Sequence, residues 1–489
     1  MKYLEDSLSM LRKIHHCDAH PDVARSLNNV GLVHRQLGEY TIAMKYLEDS
    51  LSMLRKIHGS DAHPDVAMSL NNVGEVHSRL GKYTTASEYY KDNLSMLRKI
   101  HGNDAHPDVA RSLNNIGSVY DSMGEYTTAM KYYKDNLSML RKIHGSDAHP
   151  GVARSLNNIG SVYNSMGEHT MARKYYEDSL SIYREIHGND AHPDVAKSLN
   201  NIGSVYDSMG EYTTAMKYYK DNLSMLRKIH GSDAHPDVAM SLNNVAEVHS
   251  RLGKYTTAMK YYKDDLSMLR KIHGSDAHPG VARSLNNVGL VHRQLGEYTT
   301  AMKYLEDSLS MLRKIHGSDA HPDVAMSLNN VAEVHSRLGK YTTASEYYKD
   351  NLSMLRKIHG NDAHPDVARS ISNIGSVYDS MGEHTMARKY YEDTLSIYRE
   401  IHGNDAHQDV ARSLNNIGSV YNSMREYTMA RKYYEDTLSI YREIHGNDAH
   451  QDVARSLNNI GSVYNSMREY TMARKYYEDS LSIYRDSWK

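Results

Sequence analysis

Apolar residues recur along the chain at helical spacing, in pairs of runs separated by a glycine. The first run of a pair begins at a proline, and its apolar positions are Val23, Leu27, Val30, Val33 and Leu37. The second run follows Gly38, and its apolar positions are Tyr40, Ala43, Leu47, Leu51, Leu54 and Ile57. Such spacing places each run on one helical face, so the pattern predicts two helices, A and B, joined by a tight turn. One hairpin cannot bury both apolar faces, so neighbouring pairs must supply the rest of the core.

The pair of helices repeats with a period of 43 residues, without insertion or deletion. Its eleven copies start at Pro21, Pro64, Pro107, Pro150, Pro193, Pro236, Pro279, Pro322, Pro365, Gln408 and Gln451. A constant period is typical of stacked arrays, because a changed spacer would disturb both neighbours. It predicts an all-α, right-handed α-solenoid of tandem helix-turn-helix hairpins over residues 21–489. Residues 1–20 match only the end of a repeat and are predicted to form a half repeat, helix B of a truncated or capping unit.

The ends of the two helices carry residues that helix termini favour. Pro21 suits the first turn of helix A, where its missing N–H costs little. Arg55 lies near the negative end of the helix B dipole, and Gly59 suits the position just past the last turn. In the last two repeats Arg425 and Arg468 replace the glycine of the turn between the helices. Because a left-handed turn costs a non-glycine residue roughly 1 kcal/mol, those two turns are predicted to relax.

The composition disfavours several classes of function. The net charge is −2, from 58 basic and 60 acidic residues mixed along the chain, so no long-range field attracts nucleic acid or an anionic membrane. Cys17 is the sole cysteine, so no internal disulfide can form, and no run resembles a signal peptide or a membrane span. We therefore expect a cytoplasmic protein without a nucleic-acid or membrane partner. Sequons of the form N-L-S lie within a helical pattern and are interpreted as chance matches at Asn93, Asn136, Asn222 and Asn351.

Some repeated side chains suggest chemistry, but each has a simpler interpretation. His58, Asp61 and His63 are metal-ligand types, yet they are separated across a turn, and polar linker residues commonly cap helices. We therefore predict no metal and no cofactor. No nucleophile, base and orienting group recur as a set, so no enzyme activity is predicted. The tyrosine columns, such as Tyr90 and Tyr120, match apolar packing positions and are predicted to lie in the core.

A family resemblance rests on six residues of the first repeat, namely Leu27, Gly31, Gly38, Tyr40, Ala43 and Leu51. Their spacing resembles the tetratricopeptide repeat, with Ala at the close helix crossing and Gly at the turn. The long helix B, the H-G-S-D-A-H linker and the S-L-N-N-V-G opening are similar to repeats of the kinesin light chain and nephrocystin type. The resemblance covers all eleven units, with cores at about residues 24–57, 67–100, 110–143, 153–186, 196–229, 239–272, 282–315, 325–358, 368–401, 411–444 and 454–487.

A pair of asparagines stands in the middle of helix A in every repeat but one, where Ser372 breaks the pair. Asn is a mediocre helix former, so its presence there needs a reason. The resemblance implies that helix A lines a concave groove, where an Asn bonds the backbone of an extended peptide. We predict that the second Asn of each pair binds the ligand and that the first has a structural or shared role. These second members are Asn29, Asn72, Asn115, Asn158, Asn201, Asn244, Asn287, Asn330, Asn373, Asn416 and Asn459. The alternative is that the pair bonds between adjacent helices and holds the stack together.

Helix A also carries a position that varies between repeats, just before the Ser of S-L-N-N. It is basic in several repeats, and we predict that the groove includes Arg111, Arg154, Lys197 and Arg283. It is methionine in three others, namely at Met68, Met240 and Met326. A constant row of Asn beside a changing basic or apolar rim suits a peptide with acidic and aromatic residues. The alternative is an ordinary solvated helical face.

These patterns predict a scaffold or adaptor that binds extended peptide segments or helices of partner proteins in the groove of the array. Two narrower alternatives stay open, a ligand-sensing array of a larger nucleotide-switch protein of the STAND type and a cargo adaptor like a kinesin light chain. A third class, RNA recognition by helical repeats, is disfavoured by the balanced charge. The sequence predicts neither the identity of the partner nor the oligomeric state.

Overall fold

The computed structural model describes residues 2–15, 19–59, 62–102, 105–188, 190–231, 234–274, 277–317, 320–403, 405–446 and 450–486. Cys17 and the linker residue Asp61 lie outside these ranges. All regular secondary structure in the described ranges is α-helical and forms 23 helices, as the sequence predicted. No helix among these residues is both long and apolar enough to cross a membrane.

Helices of type A and type B alternate along the chain. The A helices are α2 Pro21–Gln36, α4 Pro64–Arg79, α6 Pro107–Ser122, α8 Pro150–Ser165, α10 Pro193–Ser208, α12 Pro236–Arg251, α14 Pro279–Gln294, α16 Pro322–Arg337, α18 Pro365–Ser380, α20 Gln408–Ser423 and α22 Gln451–Ser466. The B helices are α1 Lys2–His15, α3 Tyr40–His58, α5 Tyr83–His101, α7 Tyr126–His144, α9 His169–His187, α11 Tyr212–His230, α13 Tyr255–His273, α15 Tyr298–His316, α17 Tyr341–His359, α19 His384–His402, α21 Tyr427–His445 and α23 Tyr470–Asp486.

The chain divides into two compact units, residues 1–233 and residues 234–489. In each unit the helices pack in chain order, because each A helix packs on the B helix of its own repeat and each B helix packs on the next A helix. The half repeat follows the same rule, since α1 packs on α2. This nearest-neighbour packing is the arrangement that the fixed period predicts.

The helix termini use the residues that the sequence indicated. Pro21 occupies the first turn of α2, and the preceding His20 caps that helix by accepting a hydrogen bond from the backbone N–H of Asp22. Gly59 ends α3 with a φ of 65°. The linker histidines therefore cap helices, as predicted, and they do so through Nδ1 rather than through a carboxylate.

The turn between helices A and B keeps one geometry throughout the chain. Gly38 has a φ of 78°, which only glycine adopts at little cost. Arg425 and Arg468 hold the same left-handed conformation, with φ of 62° and 65°. Their turns keep the usual hydrogen bonds, since the N–H of Arg425 donates to the carbonyl of Asn422 at 3.0 Å. The prediction that these turns relax is therefore wrong, because backbone bonds and packing hold them in place at a cost of roughly 1 kcal/mol each.

Small residues let the two helices of a repeat approach closely. A Cβ added at Gly117 would lie 2.8 Å from the ring of Tyr133, so this position excludes most side chains. Tyr90, Tyr133 and Tyr176 are each less than 5% exposed and fill the space beneath the glycines. Burial raises the pKa of Tyr176 to about 12. The prediction that the tyrosine columns on helix B belong to the core is confirmed.

In most repeats a buried polar side chain on helix B joins the two helices. Asn93 donates Nδ2 to the carbonyl of Ala67 at 2.6 Å, and Ser50 donates its hydroxyl to the carbonyl of Ala24 at 2.7 Å. The sequon asparagines Asn93, Asn136, Asn222 and Asn351 all occupy this position and are 3% exposed. A glycan cannot be attached there in the folded chain. The interpretation of these sequons as chance matches is therefore consistent with the structure.

One repeat has an acid at this buried position. Asp265 is 2% exposed, and burial raises the pKa of its carboxyl to about 6, partly offset by the hydroxyl of Ser284 and the charge of Arg283. A protonated carboxyl can donate as Asn does, whereas a carboxylate can only accept. Because the pKa in the folded chain lies above the ordinary value, ionisation opposes folding, and stability falls as the pH rises through about 6.

We therefore expect Asp265→Asn to stabilise the chain at neutral pH by up to roughly 3 kcal/mol, since one unit of pKa corresponds to about 1.4 kcal/mol. The gain should shrink towards zero below about pH 3, where the acid is protonated in the unfolded chain as well as in the folded chain. Urea unfolding followed by circular dichroism at several pH values measures it. Asp264→Asn, at an exposed neighbouring position, is the matched control and should change little. A gain that is equal at neutral and at acid pH would contradict this explanation.

Candidate functional site

The asparagine pairs form a row of hydrogen bonds across the A helices of each unit. The second Asn of a pair donates Nδ2 to Oδ1 of the first Asn in the preceding repeat. These bonds measure 2.8–3.0 Å and join Asn72 to Asn28, Asn115 to Asn71, Asn158 to Asn114, Asn201 to Asn157, Asn287 to Asn243, Asn330 to Asn286, Asn373 to Asn329 and Asn459 to Asn415. We call this row the Asn ladder.

The remaining predicted asparagines occupy the same register. Asn29 is exposed on α2, the first A helix of the array. Asn244 is half-buried on α12. Asn416 on α20 has no ladder bond in the described part of the chain, because the matching position on α18 is Ser372, whose hydroxyl is too short to replace an amide. The ladder is therefore interrupted where the sequence pattern is interrupted.

The ladder modifies the division of roles between the two asparagines. The sequence predicts that the second Asn binds a ligand. In the structure, however, its Nδ2 already donates a hydrogen bond to the first Asn of the preceding repeat. The first Asn accepts that bond, so both members contribute to the stack, by about 1 kcal/mol for each bond. Each bond uses one donor of the second Asn and one acceptor of the first. A ligand role for the second Asn stays a prediction, and it depends on the side-chain donors and acceptors that the ladder bonds do not use.

In the N-terminal unit, a cleft of about 620 Å³ opens along the ladder over α2, α4 and α6. Asn71 and Asn72 lie on its wall together with the exposed side chain of Met68. The predicted groove residue Arg111 reaches the same cleft and pairs with Asp108 at 3.1 Å. This cleft thus combines an apolar side chain, ladder amides and a cation that is already paired.

A second cleft in this unit, of about 280 Å³, lies over α6, α8 and α10. It brings together three of the predicted residues, Asn158, Arg154 and Lys197. Tyr183 and Asp194 also line it, and burial followed by the charge of Asp194 raises the pKa of the Tyr183 hydroxyl. Two cations stand here beside one carboxylate, so this stretch of the groove favours an anionic group.

In the C-terminal unit, a smaller cleft of about 150 Å³ follows the same register. Met326 and Asn329 line it, together with Arg369 of the next repeat, which pairs with Asp366 at 2.7 Å. The predicted residue Arg283 is exposed on α14, near the buried Asp265. The predicted residues therefore line clefts in the N-terminal unit, whereas the cleft of the C-terminal unit is lined by their neighbours Met326 and Asn329 and by Arg369.

Sequence reasoning missed an ion pair that crosses between repeats in the groove. Arg35 of the first repeat bonds Glu75 of the second, and Arg293 bonds Glu333 in the same way. Both members of the first pair line the large cleft in the N-terminal unit. A signal was present in the sequence, because Arg and Glu appear at these positions together, in consecutive repeats, on both occasions.

The linker histidines lie beside an aspartate of the following helix. His58, His63 and Asp65 place possible ligand atoms within 4.8 Å of one another. However, the two imidazoles stack face to face with centroids 3.4 Å apart, and Nδ1 of His63 accepts the backbone N–H of Asp65 at 3.2 Å. Imidazole lone pairs lie in the ring plane, so stacked rings cannot both point at one ion. The arrangement supports helix capping and does not present a preformed metal centre.

Comparison with known families identifies the repeat. The family described as Tetratricopeptide repeat matches residues 65–142, 151–228, 229–314, 323–400 and 409–486, and a second model with the same description matches residues 23–65. A comparison with curated proteins finds no match.

Some solved structures resemble this chain at low sequence identity. The apo form of RapI is 13% identical with a TM-score of 0.55, over 78% of this chain and 99% of that chain. BtubC (BKLC) from P. vanneervenii is 18% identical with a TM-score of 0.41, over 48% of this chain and 92% of that chain. A putative kinesin light chain from Podosopora anserina, with nearly identical TPR-like repeats, is 18% identical with a TM-score of 0.39, over 44% of this chain and 99% of that chain. At these identities the likeness concerns the fold alone.

The interruption at Ser372 allows a direct test of the ladder. We expect Ser372→Asn to stabilise the chain by about 0.5 to 1.5 kcal/mol, because the new amide oxygen can accept from Asn416. Urea unfolding measures the change. Ser372→Ala is the control for helix propensity and should give a smaller gain.

A double-mutant cycle isolates the bond itself. Combining Ser372→Asn with Asn416→Ala should remove most of the gain, since the donor is then missing. If the gain persists without Asn416, it comes from another contact, and the ladder contributes nothing at this rung.

Proposed function

Because the chain belongs to the tetratricopeptide repeat family, we propose that it is a scaffold or adaptor that binds an extended segment of a partner protein along the A-helix groove. The observation that carries this proposal is the Asn ladder. It repeats one pair of amides at a constant register beside open clefts in each unit. A partner in extended conformation presents its own amides in a regular row, so the two patterns suit each other.

The ladder leaves complementary polar atoms at each rung. On α8, Asn158 uses Nδ2 to bond Asn114 of the preceding A helix, while its Oδ1 accepts no bond from another described residue. Asn157 uses Oδ1 to accept from Asn201, while its Nδ2 donates to no other residue of the described ranges. One acceptor and one donor therefore remain, and a peptide group supplies the matching N–H and C=O. These leftover atoms support backbone recognition without any loss of the structural bond.

The residues beside the ladder favour different partner side chains along the groove. Arg154 and Lys197 face the second cleft and suit a carboxylate. Met68 and Met326 are about half exposed in clefts of the N-terminal and C-terminal units, and an exposed, flexible Met suits an apolar or aromatic side chain. We therefore propose a partner segment that combines acidic and aromatic residues. The balanced net charge of −2 gives no support to a nucleic-acid partner.

The narrower alternatives stay predictions. The described residues carry no feature that favours a nucleotide-switch sensor over a cargo adaptor like a kinesin light chain. The cytoplasmic location and the absence of enzyme activity also remain predictions from the sequence. The proposal is accordingly limited to a protein-binding groove and the chemistry of the segment that fits it.

The cations of the second cleft provide the test. A peptide selected from a random-sequence display library against the whole chain is the probe, and isothermal titration calorimetry measures its affinity. We expect the double variant Arg154→Ala and Lys197→Ala to weaken binding of an acidic peptide by roughly a hundredfold or more, because each charged hydrogen bond contributes about 1.5 kcal/mol or more. Both side chains are exposed, so the melting temperature should change little.

The matched control removes two cations from the B helices. Lys131 and Lys174 are exposed on α7 and α9, so replacing both with Ala changes the net charge equally without touching the groove. This control should bind almost as the parent does. Equal loss of affinity in both variants would show general electrostatic attraction and would refute recognition in the groove.

A further inference from the structure

In each unit, the junctions between a B helix and the next A helix contain two stacked histidines. The first is the last residue of the B helix, and the second is the residue before the A helix. In the junction between α7 and α8 the rings of His144 and His149 stack with centroids 3.3 Å apart. In the junction between α13 and α14 the rings of His273 and His278 stack at 3.4 Å. The stack is a side-chain contact that links consecutive repeats at this end of the helices.

The second histidine of each pair must be neutral to act as a cap. Nδ1 of His149 accepts the backbone N–H of Gly151 at 3.0 Å, and Nδ1 of His278 accepts that of Gly280 at 3.1 Å. A proton on Nδ1 would remove this acceptor and turn it into a donor facing another donor. It would also place a positive charge at the positive end of the helix dipole. Protonation therefore opposes both the cap and the stack.

Most junctions contain a carboxylate that can form an ion pair with a protonated histidine. In the junction between α21 and α22, Oδ2 of Asp452 lies 3.4 Å from Nε2 of His445 and 3.5 Å from Nδ1 of His450. The buried Nε2 of His445 has no hydrogen-bond partner among the described residues. A proton taken up by His445 would thus form an ion pair with Asp452 across the linker and leave the cap of His450 intact. Such a junction can accept one proton without opening.

Two junctions lack this carboxylate, because glycine replaces the aspartate at Gly151 and Gly280. We propose that the junctions before α8 and α14 are acid-sensitive hinges, where protonation of the stacked histidines separates a B helix from the following A helix. The junctions with an aspartate stay closed under the same conditions. Acid then opens the chain at two junctions, one in each unit, rather than along its whole length.

The charged groups around the two hinges are consistent with this response. At the first hinge, Asp147 is the nearest linker acid, but it is held by the guanidinium of Arg141 at 2.8 and 3.0 Å. Burial and the neighbouring His144 lower the pKa of His149. At the second hinge, burial, His273 and Arg283 lower the pKa of His278. A histidine pKa below its ordinary value of 6.5 means that the closed junction resists protonation, so closure weakens as the pH falls below about 6.5.

Hydrogen exchange of the whole chain, measured by mass spectrometry at about pH 7.5 and about pH 5.5, tests the proposal. Protection factors, corrected for the intrinsic effect of pH, should fall at residues 144–153 and 277–282. Because pH 5.5 lies about one unit below the ordinary histidine pKa, the expected loss for each lowered histidine is at most about tenfold. The matched aspartate junction at residues 359–368, which contains Asp366, should lose much less protection. Equal loss at all junctions would overturn the proposal.

Substitution of the residue that distinguishes the two kinds of junction, glycine or aspartate, provides the second test. Gly151→Asp and Gly280→Asp should abolish the additional loss at their own hinges, because aspartate occupies this position in the neighbouring repeats. Asp366→Gly should create a new acid-sensitive junction before α18. If the aspartate variants fold, by circular dichroism, and still lose protection at acid pH as the parent does, the carboxylate has no protective role and the proposal fails.

Discussion

The apolar face of each hairpin is buried by its neighbours, and this dependence holds the 43-residue period constant. Ala43 and Leu47 are fully buried on α3, and they pack in one cluster with Val66 and Leu70 of the next A helix. A residue inserted in one repeat would shift such contacts on both sides. Every other recurrent interaction in the described residues, including the Asn ladder and the histidine stacks, follows the repeat because the packing fixes the register first.

A constant register makes single substitutions easy to interpret. Ser372 interrupts the ladder, Asp265 places an acid where other repeats have Asn, Ser or Thr, and Gly151 removes a carboxylate from a junction. Each change alters one local interaction while the surrounding packing stays the same. The neighbouring repeats then act as internal controls for the altered one. This property lets stability, acid response and binding be tested separately in the same chain.

The Asn ladder connects architecture with the proposed binding function. Asn158 donates to Asn114 and so stabilises the stack, yet its Oδ1 remains available beside Arg154 in the second cleft. Binding along the groove would satisfy these remaining atoms in several repeats at once. A bound segment would therefore stabilise the contacts between repeats, because it binds the folded array and not the unfolded chain.

The sequence predicted the helices, their turns and the tyrosine core, because apolar spacing, Pro21 and Gly38 depend on local geometry. It left open whether the Asn pairs bond between adjacent helices, as Asn72 bonds Asn28. It did not predict that Asn93 bonds the carbonyl of Ala67, since this contact depends on how two helices face each other. It was wrong at Arg425, where the backbone hydrogen bonds of the turn hold the left-handed conformation despite the local preference for glycine. The sequence pattern therefore predicts the helices and their core but does not determine which side chains pair between repeats.

Removal of one complete repeat tests nearest-neighbour packing most directly. Deleting residues 107–149 joins His106 to Pro150 and keeps the period of the remaining repeats. Circular dichroism should then show an unchanged helicity per residue and a modestly lower unfolding midpoint. Deleting residues 107–127 instead removes one A helix without its partner and should cause a large loss of helicity. Extensive unfolding after the in-register deletion would contradict the account, because it would require stabilising contacts between distant repeats.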